Sequence, residues 1–191
     1  TGLSMTFITT HEAEDLNLYF HDRSWLADND VALFTSNRSG RSEIYGYFEE
    51  SGKIIAFNPE NEEAAFNPVA SRFTNEIYVF WKQAIYVWQV SINGEKVKVN
   101  AIKLVELPQF AIPISSINEN ANGKLVCYAY RLDGKYHIGI VNKDQRKSEI
   151  LTHTDFEIQH LQFNHERPGL LSFARSYGTD TAPPGSQDNP H

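Results

Sequence analysis

The feature that most constrains this chain is a unit of two short apolar runs joined by a polar turn, which returns about every 46 residues. It is plainest at Val31-Ala32-Leu33-Phe34-Thr35-Ser36, followed by Glu43-Ile44-Tyr45-Gly46-Tyr47-Phe48. It comes back at Glu76-Ile77-Tyr78-Val79-Phe80-Trp81 with Ile85-Tyr86-Val87-Trp88-Gln89-Val90. A third copy is Lys124-Leu125-Val126-Cys127-Tyr128-Ala129-Tyr130 with Tyr136-His137-Ile138-Gly139-Ile140-Val141, and Gly169-Leu170-Leu171-Ser172-Phe173-Ala174 repeats the first half once more. Aromatic residues favour pleated strands. A four-stranded unit of about 40–50 residues is the signature of a β-propeller blade. The predicted fold is therefore all-β, a propeller with about three and a half four-stranded blades present.

The spacing of turn residues sets the expected boundaries. Blades are predicted at about 17–58, 67–105 and 112–152, with a partial blade at 159–175 and a loop or tail at 176–191, all in one domain. In the first blade, Leu18 to Trp25 reads as the leading strand. Asn93-Gly94 reads as a tight type I′ hairpin turn, which needs positive φ at both residues. Gly2 to Thr9 alternates and reads as a lone strand. The half blade at 159–175 would leave an unpaired edge. Either the chain is the N-terminal part of a larger ring, or Gly2–Thr9 closes a small ring onto that half blade. The first reading is preferred, because in a larger ring the lone strand would complete the last blade.

Charge and cysteine content narrow the function classes. The formal net charge is −7 and no basic block occurs, which argues against nucleic acid and against an anionic membrane surface as partners. An acidic chain can still bind an acidic sugar if the site itself is cationic. The single cysteine, Cys127, excludes a disulfide within the chain and sits in an alternating apolar run, as a buried inert thiol would. No run approaches the roughly 18–20 apolar residues of a membrane helix. No secretory leader is visible, so the expected location is the cytoplasm, with the periplasm left open. There is no phosphate-cradling glycine loop, no zinc-type Cys/His spacing and no G-x-S-x-G elbow.

Two stretches carry a family resemblance. Leu18-Tyr19-Phe20, Trp25 and Val31 through Gly40 resemble the first blade of the oligogalacturonate lyases, which are propellers of the TolB and WD40-like kind. Gln159-His160-Leu161-Gln162-Phe163-Asn164, with Pro168-Gly169-Leu170-Leu171-Ser172-Phe173, resembles the family's blade opening, in which a His leads the strand. The resemblance implies a seven-bladed ring and β-elimination on short pectin-derived oligogalacturonides. It also implies a divalent metal, typically manganese, held in the funnel by His and Gln side chains. His160 matches one of the metal-ligand histidines. Three positions depart from the pattern. Asn17 stands where the family tends to have His, and Arg175-Ser176-Tyr177-Gly178 stands where it often has His-Glu-Gly-Pro. No His lies near Ile114–Ile117, where a base would be sought. These departures support the alternative of a non-catalytic binding or interaction module on the same scaffold.

Elimination on a uronate removes a weakly acidic proton beside a carboxylate. The carboxylate charge must be neutralised by a metal or an Arg, and a base must lie within hydrogen-bond reach. His21 and Arg23 alternate on the predicted first strand and so share one face, which makes them candidates for substrate binding. Arg175, ending a strand, could meet a sugar carboxylate. His160 is the candidate metal ligand and no catalytic base is assigned. His137 is expected to be structural, His165 solvated, and His11 and His153 to lie in connections without a role.

Overall fold

The computed structural model describes residues 2, 7–28, 30–58, 63–94 and 96–176. Among them every regular element is a strand, as the repeat requires. The strands are β1 (Asp15–Asn17), β2 (Val31–Ser36), β3 (Glu43–Phe48), β4 (Lys53–Ala56), β5 (Phe66–Ala70), β6 (Glu76–Trp81) and β7 (Ala84–Asn93). There follow β8 (Lys96–Glu106), β9 (Ile112–Glu119), β10 (Leu125–Leu132), β11 (Lys135–Asn142), β12 (Lys147–Thr154), β13 (Ile158–Phe163) and β14 (Leu171–Arg175). They form three four-stranded meanders, β1-β2-β3-β4, β5-β6-β7-β8 and β9-β10-β11-β12, and one pair, β13-β14. This is the expected β-propeller with three and a half blades. No helix long and apolar enough to cross a membrane occurs among the described residues.

The chain divides into two compact units. One holds residues up to Lys82 together with Tyr86–Lys103, and the other holds Gln83–Ile85 and the chain from Leu104. In the first unit, alternate residues of the first two blades build one core, with Leu26, Val31, Leu33, Ile44 and Phe57 packed with Ile77, Val79 and Trp88. In the second, Cys127, Ala129 and Ile138 of the third blade pack with Ile158, Leu161 and Phe163 of β13. Alternation puts these side chains on one face of each strand, which is why period-two patterning located them. The same packing device recurs in the third strand of a blade in each unit. A Cβ at Gly46 would lie 2.4 Å from the Phe57 ring, and one at Gly139 would lie 2.3 Å from the Tyr128 ring. Only glycine leaves room for those rings.

Several boundaries differ from expectation. Leu18–Trp25 is not a strand: β1 ends at Asn17, and only Trp25 returns to the ladder, as an isolated bridge to Ala32. Asn93 is still part of β7, and Gly94 (φ 59°) is the first residue past the strand. Residue 95 lies outside the described residues. β12 extends to Thr154, which places His153 inside a strand rather than in a connection. Of the predicted strand at 2–9, residues 3–6 lie outside the described residues, and Phe7–Thr9 is not in a strand. The predicted tail lies outside them from residue 177 onward.

Candidate functional site

The leading strand of every blade breaks at one equivalent place. In the second blade Phe66 pairs with Phe80 and Val69 with Tyr78, so two residues, Asn67 and Pro68, oppose Val79 alone. In the third, Ile114 pairs with Ala129 and Asn118 with Cys127, so Ser115, Ser116 and Ile117 oppose Tyr128. In the fourth, Gln159 pairs with Ala174 and Gln162 with Ser172, so His160 and Leu161 oppose Phe173. In the first, Asn17 pairs with Phe34 and Trp25 with Ala32, so all of Leu18–Ser24 opposes Leu33. Val79, Tyr128, Phe173 and Leu33 hold the same position in the repeated second strand. Bulges of this kind re-aim a side chain and recur next to functional sites. Three of the four carry a non-glycine residue with left-handed backbone: Asn67 (φ 50°), Ser115 (φ 60°) and His160 (φ 52°). Such a backbone costs roughly 1–2 kcal/mol per residue.

The first-blade break is an excursion rather than a bulge. Leu18 anchors it in the core at 8% exposure, while Phe20 stands out at 81%. A turn closed by Asp22 N–H donating to Tyr19 O at 2.8 Å gathers three rings. The Tyr19, Phe20 and His21 ring centroids lie 4.2–4.6 Å apart. His21 is therefore part of an aromatic knuckle, not one of an alternating strand pair with Arg23. The Arg23 guanidinium turns back to donate to Leu26 O at 3.3 Å, and its own carbonyl accepts from Ala70 N–H at 2.9 Å. Arg23 thus ties the excursion to β5.

In the second unit the two breaks are stapled together. Leu161 N–H, freed from the β13–β14 ladder by the bulge, donates to Ser115 Oγ at 2.9 Å. Phe163 N–H donates to Asn118 Oδ1 at 2.8 Å. Buried N–H groups must find acceptors, and for these two the side chains of β9 supply them. His160 sits half-buried on this stapled bulge. Arg175 closes β14 opposite Ile158, exposed, with its guanidinium 5.0 Å from the Phe156 ring centroid. The candidate residues thus fall in two groups, His21 and Arg23 in one unit and His160 and Arg175 in the other.

The described residues do not by themselves fit a manganese site. Among them no group of three or more His, Cys, Asp or Glu converges on a point. His160 would supply a single imidazole, and manganese is best served by several oxygen ligands. Cys127 adds nothing, because complete burial pushes its thiol up to about 12 and keeps it protonated.

A second histidine feature was missed from the sequence. Tyr130, His137 and His153 lie directly opposite one another across β10, β11 and β12. Tyr130 stacks on His137 with centroids 4.8 Å apart and planes at 11°, and His137 meets His153 at 5.8 Å. Burial, then the neighbouring His153 and Lys135, lower the His137 pKa below the ordinary imidazole value, against the pull of Asp133. The usable signal was the hairpin: once His153 is placed in β12, its register opposite His137 follows.

No protein-family model and no curated protein matches the sequence. Solved structures do match the fold. Oligogalacturonate lyase from Vibrio parahaemolyticus superposes with a TM-score of 0.69 at 10% identity, over 92% of this chain and 50% of that one. An oligogalacturonate lyase in complex with manganese gives 0.65 at 11%, over 91% and 54%. The β-propeller domain of Myceliophteria thermophila Cps50 (Swd1) gives 0.56 at 11%, over 82% and 46%. TolB from Acinetobacter baumannii gives 0.50 at 19%, over 79% and 36%. This chain is a propeller similar to the oligogalacturonate lyases and TolB. It spans about half the length of the lyases it matches.

Proposed function

We propose that this chain is an oligogalacturonate-lyase-like protein that engages short uronic-acid oligosaccharides and takes part in their β-elimination. The observation that carries the reading is His160. It occupies the position at which the sequence resembles the family's His-led strand, and its bulge holds it with left-handed backbone. Residues held in such conformations cluster at functional sites. The backbone likeness to oligogalacturonate lyase over 92% of the chain supports the same reading. A divalent metal, manganese in one of those lyases, would neutralise the uronate carboxylate. His160 would contribute one ligand, and no group of three or more His, Cys, Asp or Glu among the described residues surrounds it. No chemical step is therefore assigned to individual side chains.

A second reading is a binding module without catalysis. The departures at Asn17 and Arg175 support it. One experiment separates the two. Digalacturonate is mixed with the chain, with and without manganese, while ultraviolet absorbance of the unsaturated product and heat of binding are followed. The lyase reading expects metal-dependent absorbance that His160→Ala abolishes. Binding without absorbance would leave the module reading, and neither signal would remove uronides from consideration.

A further inference from the structure

The third blade carries a histidine pair that the uronide reading does not use. The β11–β12 register sets His137 directly opposite His153. Directly opposed residues have Cβ atoms about 4.5–5.5 Å apart on one face of the sheet, so both imidazoles leave the backbone side by side. With metal–nitrogen bonds of about 2.0–2.1 Å, two imidazoles on one cation have ring centroids about 5.2 Å apart at a tetrahedral angle and about 6.4 Å when linear. The observed separation is 5.8 Å, with the planes inclined at 41°. It falls inside that interval. Tyr130, on the neighbouring strand β10, stacks on His137 with the planes nearly parallel.

We propose that His137 and His153 form a binding site for a zinc-class divalent cation, with water completing the coordination. Imidazole ligands select zinc, copper or nickel over magnesium and calcium, which require oxygen. Zinc bound here would clip the outermost strand of the blade, β12, to β11. The site lies on strands other than that of His160 and stands or falls independently of the uronide reading.

The test is a titration of the full chain with zinc chloride at about pH 7.5, where ordinary imidazoles are neutral. Calorimetry and the imidazole proton resonances are followed together. One equivalent should bind in the micromolar range and shift the resonances of both histidines, while magnesium chloride should shift neither. His153→Ala should weaken binding about tenfold or more. His153 is solvent-exposed, so this variant keeps the fold, which circular dichroism would verify. His160→Ala should bind zinc as the parent does, and so should Tyr130→Phe, which keeps the stacked ring. Zinc should raise the thermal midpoint of the parent but not of His153→Ala. Undiminished binding in His153→Ala, unshifted imidazole resonances in the parent, or loss of binding in His160→Ala would each overturn the proposal.

Discussion

The leading strands of the first and fourth blades break at the same place and resolve the break in opposite ways. In the first blade seven residues leave the ladder opposite Leu33 and raise a knuckle of three rings over a buried Leu18. In the fourth, two residues oppose Phe173, and the strained backbone of His160 is secured by a hydroxyl from the neighbouring blade. One gains surface by insertion, the other re-aims a single side chain. The repeat dictates where the chain may depart from the sheet, and local sequence decides what it presents there.

The largest effect should come from the anchor of the excursion. Leu18→Ala empties a core position and should cost about 2–4 kcal/mol of unfolding free energy. Phe20→Ala, two residues on at the exposed tip, should stay within about 0.5 kcal/mol. Equal losses by urea denaturation would mean that the knuckle is part of the core and the contrast is mistaken. In the fourth blade, Ser115→Ala leaves the Leu161 N–H without its acceptor and should cost about 1–3 kcal/mol. The amide-exchange protection of Leu161 should fall with it, and unchanged protection would show that the staple does not hold the bulge.

A smaller effect tests the strain itself. At φ 52° any Cβ is crowded, so His160→Gly should be more stable than His160→Ala, by about 1 kcal/mol. On regular strand backbone the order reverses, with glycine about 0.5–1 kcal/mol worse than alanine. Finding that ordinary order at residue 160 would remove the argument from strain to function.

The smallest expected effect is a pH dependence. The His137 pKa is lowered in the folded state, so through this window the unfolded chain binds more protons and stability rises with pH. The contribution is present above the unfolded value of about 6.5 and is lost as pH falls through the folded one. Urea midpoints compared at about pH 7.5 and pH 5.5 should drop less in His137→Asn than in the parent. An identical drop would assign the acid sensitivity elsewhere. Asp15 and Glu43 are candidates lower on the scale. Burial alone would raise both carboxyls, but hydrogen bonds hold them below the usual range, with donors that include Ser36 and Arg38 for Asp15 and Ser39 and Arg41 for Glu43.

Much of this architecture was legible before any coordinates. Runs such as Glu76–Trp81 and Leu125–Leu132 are dense in aromatic and branched residues, and each became the second strand of a blade. The failures have one cause. Leu18-Tyr19-Phe20 has the composition of a strand, yet β1 ends at Asn17 and the chain leaves the ladder until Trp25, and no property of the segment itself reveals that. Asn93-Gly94 has the composition of a turn, but Asn93 is still in β7, because pairing with a neighbouring strand outweighs local turn chemistry there. His21 and Arg23 share one face only on a strand, and the chain there is not one. His160 was singled out by likeness, while its left-handed backbone came only from the structure.

The sequence by itself determined the repeat, the all-β class and the positions of the buried faces, because alternation and turn chemistry are local and survive without knowledge of partners. Tertiary structure decided the register. Register placed the same break in all four leading strands and sent Ser115 to cap the Leu161 amide. It also set His137 against His153 across sixteen positions of sequence. Those are pairings between segments, and their energy exists only once both segments are in place.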